Sequence, residues 1–193
     1  MTLLISGLIL FFGIHSISII DDEWRNRMVV RLGIMTWQGL YSLPAILGLV
    51  LIIVGYGQAR GEAEWLYSTP QWMVWPALIL LVPVFPLLLA TYLPGRIQSS
   101  VRNPMLVAVM LWALAHLLIN GSLADVLLFG AFFLWALLDL ASLKWRSAHP
   151  VPGPPSRPLN DVIAVVFGLG LYIAFIYGIH QWLIGVPVSL PVA

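Results

Sequence analysis

The 193-residue sequence contains no cysteine, and only 9% of its residues are charged. Without cysteine the chain has no disulfide, thiolate nucleophile, iron–sulfur cluster or cysteine-ligated zinc. The Lys and Arg residues are dispersed and the net charge is only +1, so no basic patch of the kind that binds nucleic acid is present. The sequence also lacks an H-E-x-x-H motif, a phosphate-binding loop and a Ser-His-Asp set. These absences argue against a nucleic-acid-binding protein and a classical hydrolase.

Apolar residues are abundant: they make up 61% of the chain, and the mean hydropathy is +0.97. A soluble domain has about 45–50% apolar residues. Runs of about 20 apolar residues are long enough to cross a bilayer. The sequence therefore predicts an all-α, polytopic transmembrane helix bundle of about six spans, forming a single domain over residues 1–193. The predicted spans are about 2–20, 37–56, 72–92, 104–120, 123–143 and 161–186.

The positive charges predict how this bundle is oriented. Eight of the nine Lys and Arg residues fall in connections on one side of the six-span arrangement, and Arg60 alone falls on the other. Because cytoplasmic loops hold the positive charge, we expect both termini to lie outside the cytoplasm. The connection 147–158 contains five prolines, which favour extended geometry, and is predicted to be a semi-rigid cytoplasmic loop.

Three of the four histidines fall within the predicted spans. His15, His116 and His180 lie in the first, fourth and sixth spans, whereas His149 lies in the proline-rich loop and is expected to be solvated. An ionisable side chain within a bilayer is costly and is therefore a candidate for function. Imidazole pairs can ligate the iron of a membrane haem b without importing charge. Alternatively, each histidine forms a hydrogen bond to a neighbouring helix and only stabilises the bundle.

Polar and aromatic neighbours accompany two of these histidines. Trp112, His116 and Asn120 are spaced four residues apart, so they share one face of a helix. On the last span, Tyr177 is the neighbour whose hydroxyl is expected to orient the ring of His180. The stripe around His116 is accordingly a candidate cofactor-binding surface.

Two polar pairs are typical of helix starts. Ser122 and Asp125 match the S-x-x-D capping box before the fifth span, and Asn160 with Asp161 begins the sixth. We expect each pair to cap the helix that it begins.

One carboxylate near the inner end of the fifth span has two possible roles. Asp139 is followed by Lys144 and Arg146 and can pair with either of them. It can instead face a pocket, and the sequence leaves both alternatives open.

Several motifs resemble those of the NnrU family. The longest is R-N-P-M-L-V-A-V-M-L-W-A-L-A-H-L-L-I-N-G, residues 102–121, and it is followed by L-F-G at 128–130. Others are G-x-H-S at 13–16 and Y-x-x-x-x-Y-G-x-H at 172–180. The resemblance implies a bacterial inner-membrane protein associated with nitrite and nitric oxide reduction in denitrification, with a membrane protein of that process as a partner.

The family is similar to the 15-cis-zeta-carotene isomerase Z-ISO, which uses haem b. This similarity implies haem b as the cofactor, with His15 and His116 at the positions of the axial ligands. Ala113 stands where Z-ISO has an alternative cysteine ligand. Depth favours His180 as a rival, because His180 and His116 lie about 9 and 6 Å from the outer ends of their spans, and His15 about 20 Å. The candidate cofactor-binding set is His15, His116, His180, Trp112, Asn120 and Arg102.

Other functions remain open at this point. A Z-ISO-like isomerase would act on an apolar polyene in the bilayer. The Arg102–Pro104 sequence is similar to the R-x-P motif of isoprenylcysteine-type methyltransferases, but the segment after the fifth span lacks the glutamate that those enzymes need. A membrane assembly partner without a cofactor is the remaining alternative.

Overall fold

The computed structural model describes residues 1–149 and 151–188, and in these ranges the chain is helical. Four helices are long and apolar enough to cross a membrane: Ile34–Ala59, Gln71–Tyr92, Leu123–Ser142 and Pro158–Ile184. Two further apolar helices, Thr2–His15 and Pro104–Ile119, are shorter. The predicted all-α class with membrane-spanning helices is thus confirmed. The α-helices, in chain order, are α1 Thr2–His15, α2 Ile17–Ile20, α3 Asp22–Leu32, α4 Ile34–Ala59, α5 Val74–Leu81, α6 Val84–Tyr92, α7 Arg96–Val101, α8 Pro104–Ile119, α9 Leu123–Ser142, α10 Pro158–Ala174 and α11 His180–Ile184. The long helix Gln71–Tyr92 thus includes α5 and α6, and Pro158–Ile184 includes α10 and α11.

Each of the six predicted spans overlaps at least one of these helices. The first span is interrupted at Ser16, between α1 and α2. Two helices, α3 and α7, fall in segments predicted to be connections. The predicted proline-rich loop contains no helix over 147–149 and 151–157, and α10 begins with Pro158; Pro150 lies outside the described residues.

Proline divides the third span. Pro83 has no N–H, and the helix is broken there into α5 and α6. The N–H of Val82 donates to the carbonyl of Ile79 rather than to that of Leu78, and the Leu78 carbonyl accepts a hydrogen bond of 2.9 Å from the Tyr172 hydroxyl of α10. The carbonyl freed by the break is thereby satisfied by a neighbouring helix, as membrane helices require.

The chain forms two compact units, the first of which comprises Met1–Tyr67 and Gly121–Ala148. Within it, α1 packs closely against α4 through glycines. A Cβ atom on Gly7 would lie 2.6 Å from the Ile52 nitrogen, and one on Gly48 would lie 2.8 Å from the Phe11 nitrogen. Small residues allow backbones to approach closely inside a membrane. These contacts determine which part of α1 faces α4.

The start of α9 belongs to the same unit and forms the predicted capping box. The Ser122 hydroxyl accepts from the Asp125 N–H, and the Asp125 carboxylate accepts from the Ser122 N–H at 3.1 Å. Asp125 also accepts a 2.6 Å hydrogen bond from the Tyr56 hydroxyl of α4. The pKa of the nearby Tyr67 phenol is raised mainly by burial and, to a smaller extent, by the negative charge of Asp125. The buried Asp125 carboxylate therefore joins α4 to α9 as well as capping its own helix.

The second unit comprises Ser68–Asn120 and His149–Ala193, of which residues 189–193 lie outside the described part. In this unit α10 packs against α6. Gly168 lies against the backbone of Pro86, and the Phe85 and Phe175 rings are 4.7 Å apart between centroids. Together with the Tyr172 hydrogen bond, these contacts place one face of α10 against α5 and α6.

The expected cap at the start of α10 is wrong. The N-cap residue is Arg157, which makes no side-chain cap. Asp161 instead accepts hydrogen bonds from the N–H groups of Arg96 and Ile97, at 2.8 and 3.0 Å, and so caps α7. The amide of Asn160 donates to the Pro94 carbonyl at 2.7 Å. Both side chains form hydrogen bonds to the 94–97 segment, because the fold brings this segment beside the first turn of α10.

Candidate functional site

Two of the candidate histidines meet in the second unit. His116 lies near the end of α8 and His180 begins α11, and their ring centroids are 6.5 Å apart with an angle of 25° between the planes. Both rings are half-buried. The structure thus brings together the two histidines that lie at matching depths in their predicted spans.

Backbone carbonyls hold both rings in the same tautomer. The Nδ1 atom of His116 lies 2.8 Å from the Trp112 carbonyl, and that of His180 lies 2.7 Å from the Val186 carbonyl. A carbonyl only accepts hydrogen bonds, so each neutral ring carries its proton on Nδ1 and its lone pair on Nε2. Metal-ligating histidines characteristically donate their other ring N–H to a carbonyl or carboxylate.

The chain turn after α11 supplies the partner of His180. Gly185 adopts a left-handed conformation with φ 75°, and the following residue presents its carbonyl to the ring. Tyr177, which was expected to orient this ring, is 81% exposed and makes no hydrogen bond to it. That expectation was wrong because Val186 takes the role. A π-helical turn, Phe175–Ile179, immediately precedes His180.

Trp112 forms the aromatic neighbour of His116, as its position four residues earlier predicts. The two rings are 5.3 Å apart at an angle of 52°. Trp112 also packs against a buried cluster of Val84, Leu87 and Ala108, which holds it in place. Asn120 caps α8, and its N–H donates to the His116 carbonyl at 2.8 Å. The predicted stripe therefore lies at the end of α8 where His116 meets His180.

His15 has its own aromatic surroundings in the first unit. Its ring stacks on Phe11 at 4.1 Å and meets Tyr41 and Trp135 edge-on at 5.3 and 5.8 Å. Its Nδ1 lies 2.7 Å from the Phe11 carbonyl, so the lone pair again falls on Nε2. The Nε1 of Trp135 is buried with no hydrogen-bond partner among the described residues. His15 accordingly has the same ligand-competent tautomer as the pair in the second unit.

An ion pair lies at the C-terminal end of α9. Arg146 pairs with the Asp139 carboxylate, and its Nε donates to the Ser142 hydroxyl at 2.7 Å. That hydroxyl in turn donates to the Asp139 carbonyl at 2.6 Å. The two charged side chains are only 9% and 14% exposed. Of the alternatives for Asp139, the structure shows the pair with Arg146.

The remaining candidate, Arg102, lies away from the histidine pair. It is exposed just before α8, with φ 64°, a conformation that residues other than glycine rarely adopt. Pro104, two residues further on, is 12 positions before His116 in the helix, about 18 Å. His149 lies in the loop and is exposed, as expected.

Sequence reasoning missed the groups contributed by other parts of the chain. Tyr41 and Trp135 come from α4 and α9, and nothing in the neighbourhood of His15 along the chain points to them. Val186 acts only because the chain reverses at Gly185. For Val186, the available signal was Gly185, the glycine directly after the last helical segment.

Comparison with known proteins gives one match, which covers nearly the whole chain. The family model of the NnrU protein matches residues 3–188. The chain belongs to the NnrU family. No curated protein and no solved structure matches it. The matched range includes both segments, 102–121 and 172–180, that contribute His116 and His180 to the paired site.

Proposed function

We propose that this NnrU-family protein binds haem b in the membrane and that His116 and His180 are the residues that would hold its iron. The observation that carries the proposal is the His116–His180 pair itself, with rings 6.5 Å apart and each Nδ1 next to a backbone carbonyl. Neutral imidazoles suit a site in an apolar bundle because they bind iron without adding charge.

The donor set fits a haem better than a bare metal ion. A protein-bound zinc ion takes about four ligands, whereas haem iron needs only axial donors from the protein. Among the described residues, no three His, Asp or Glu side chains form a cluster that could hold an ion. A haem iron held here would take its protein donors from His116 and His180, whose ring centroids lie 6.5 Å apart.

The residues around the pair would orient the ligands and keep water out. The carbonyls of Trp112 and Val186 hold the two rings in the tautomer that leaves Nε2 available for iron. Trp112 covers one side of His116 with an apolar ring that is itself held by the α6–α8 core. A haem bound here would supply one-electron redox chemistry, and its potential would depend on the residues that hold the iron and on burial.

His15 is the alternative second ligand. The resemblance to Z-ISO implies a His15–His116 pair, and the Phe11 carbonyl holds His15 in the required tautomer. The ring contact between His116 and His180 favours His180 as the second ligand. Spectra of the His15→Ala and His180→Ala variants distinguish the two assignments.

Membership of the NnrU family supports a role in nitrite and nitric oxide reduction during denitrification. In this proposal the protein is a haem-dependent redox or maturation factor of the bacterial inner membrane, working with a membrane protein of that process. The concentration of Lys and Arg on one side of the predicted spans supports periplasmic termini and a cytoplasmic 147–158 loop.

A reduced-minus-oxidised absorption spectrum of the detergent-purified protein, produced with ample haem, tests this proposal. We expect a low-spin b-type spectrum that is lost or shifted in His116→Ala and His180→Ala and unchanged in His149→Ala, the control. Loss in His15→Ala with retention in His180→Ala would transfer the second ligand to His15. A wild-type protein without haem would refute the proposal and leave a cofactor-free assembly partner as the better account.

A further inference from the structure

We propose that the π-helical turn Phe175–Ile179 is a ligand-positioning device: it makes position 180, rather than position 179, the one that faces His116. This inference rests on the haem site proposed above. Single π turns within α-helices are rare and occur frequently at functional sites. Here the turn lies directly before the histidine in question.

The contacts of α10 define which face of the helix is directed into the second unit. Ala164 and Gly168 are buried, Tyr172 donates to α5, and Phe175 meets Phe85 of α6. These residues are spaced by four, four and three positions, which is the α-helical period. If the helix continued unchanged, the next residue on this face would be Ile179.

The π turn shifts this register by one residue. A π turn closes over five residues where an α turn closes over four. Counted from Phe175, the inward position therefore moves from Ile179 to His180. The ring contact with His116 is found at His180, in agreement with the shifted register. An uninterrupted helix would present an isoleucine there, which has no donor for iron.

The downstream end of α11 holds the shifted residue in place. This helix has only five residues, and Gly185 then reverses the chain. The reversal brings the Val186 carbonyl to the Nδ1 atom of His180. The turn thus determines which residue faces His116, and the reversal orients its ring.

Site-directed cross-linking tests the register without reference to haem. Because the chain contains no cysteine, the only thiols are those introduced. We would compare His116→Cys/His180→Cys with the matched control His116→Cys/Ile179→Cys, using a short bis-methanethiosulfonate reagent on membranes and mass spectrometry of the linked peptides. We expect cross-linking at position 180 to be at least several-fold faster. An equal rate, or a faster rate at position 179, would overturn the inference.

A spectrum of a register-swapped variant tests the consequence for the ligand. The double variant Ile179→His/His180→Ile moves the imidazole by one position and leaves the composition unchanged. We expect it to lose the low-spin spectrum, as His180→Ala does. A retained spectrum would show that the helix adapts and that the turn does not select the ligand, which overturns the inference. A wild-type protein without haem would refute the proposed function, while the cross-linking rates would still report the register.

Discussion

Removing Arg146 while keeping Asp139 should strongly destabilise the first unit. Arg146 ion-pairs with Asp139 and donates to Ser142, and both charged side chains are largely shielded from solvent. Arg146→Leu preserves much of the apolar stem and removes all of these hydrogen bonds. The Asp139 carboxylate is then left near the C-terminal end of α9 without its cation.

The expected loss of stability follows from the known cost of breaking a buried ion pair. Breaking such a pair by removing one partner costs about 3–5 kcal/mol, because a charge is left without compensation. Replacing both partners with apolar residues is often neutral or stabilising. We therefore expect Arg146→Leu to lower the free energy of unfolding by about 3–5 kcal/mol. The double variant Asp139→Leu/Arg146→Leu should recover most of this loss.

Reversible unfolding by SDS in mixed micelles, followed by circular dichroism, measures these differences. Lys144→Leu is the matched control, since Lys144 is a nearby basic residue that is exposed. An exposed substitution should change the stability by less than about 0.5 kcal/mol. Equal effects of Arg146→Leu and Lys144→Leu, or a double variant no more stable than Arg146→Leu, would refute the reasoning.

Two further predictions concern helix packing and topology. Gly48→Val should destabilise the α1–α4 contact by about 1–3 kcal/mol in the same SDS assay, since its Cβ would meet the Phe11 backbone. Gly39→Ala in the same helix meets nothing within 4 Å and should be neutral or stabilising, and a loss as large as that of Gly48→Val would contradict the packing argument. Reporter fusions should place the 147–158 loop in the cytoplasm and the C-terminus in the periplasm, and a cytoplasmic C-terminus would overturn the even number of spans.

Much of the helical architecture was predictable because the apolar runs are long. Leu123–Ser142 matches the predicted 123–143 closely, and its capping box was recognised from Ser122 and Asp125 alone. Local hydrogen bonds of this kind depend only on residues close in the chain. Asp161 was misassigned for the opposite reason, because its partners are 64 and 65 residues away.

Within the candidate site, the sequence identified the residue types more securely than their partners. The spacing of Trp112 and His116 predicted a contact that the structure contains. The hydrogen bond expected from Tyr177 to His180 is absent, because a π turn and a chain reversal lie within the same short segment. Neither feature follows from an apolar run of regular period.

By itself, the sequence determined that this is a helical protein with membrane-spanning segments and that its NnrU motifs place imidazoles within those segments. Hydropathy and spacing suffice for this because the bilayer imposes the length and the α-helical period on any apolar run. Only the tertiary structure decided that Asp139 pairs with Arg146 and that His180 meets His116. These contacts depend on the register of one helix against another and on a single extra residue in a turn, which the hydropathy pattern does not record.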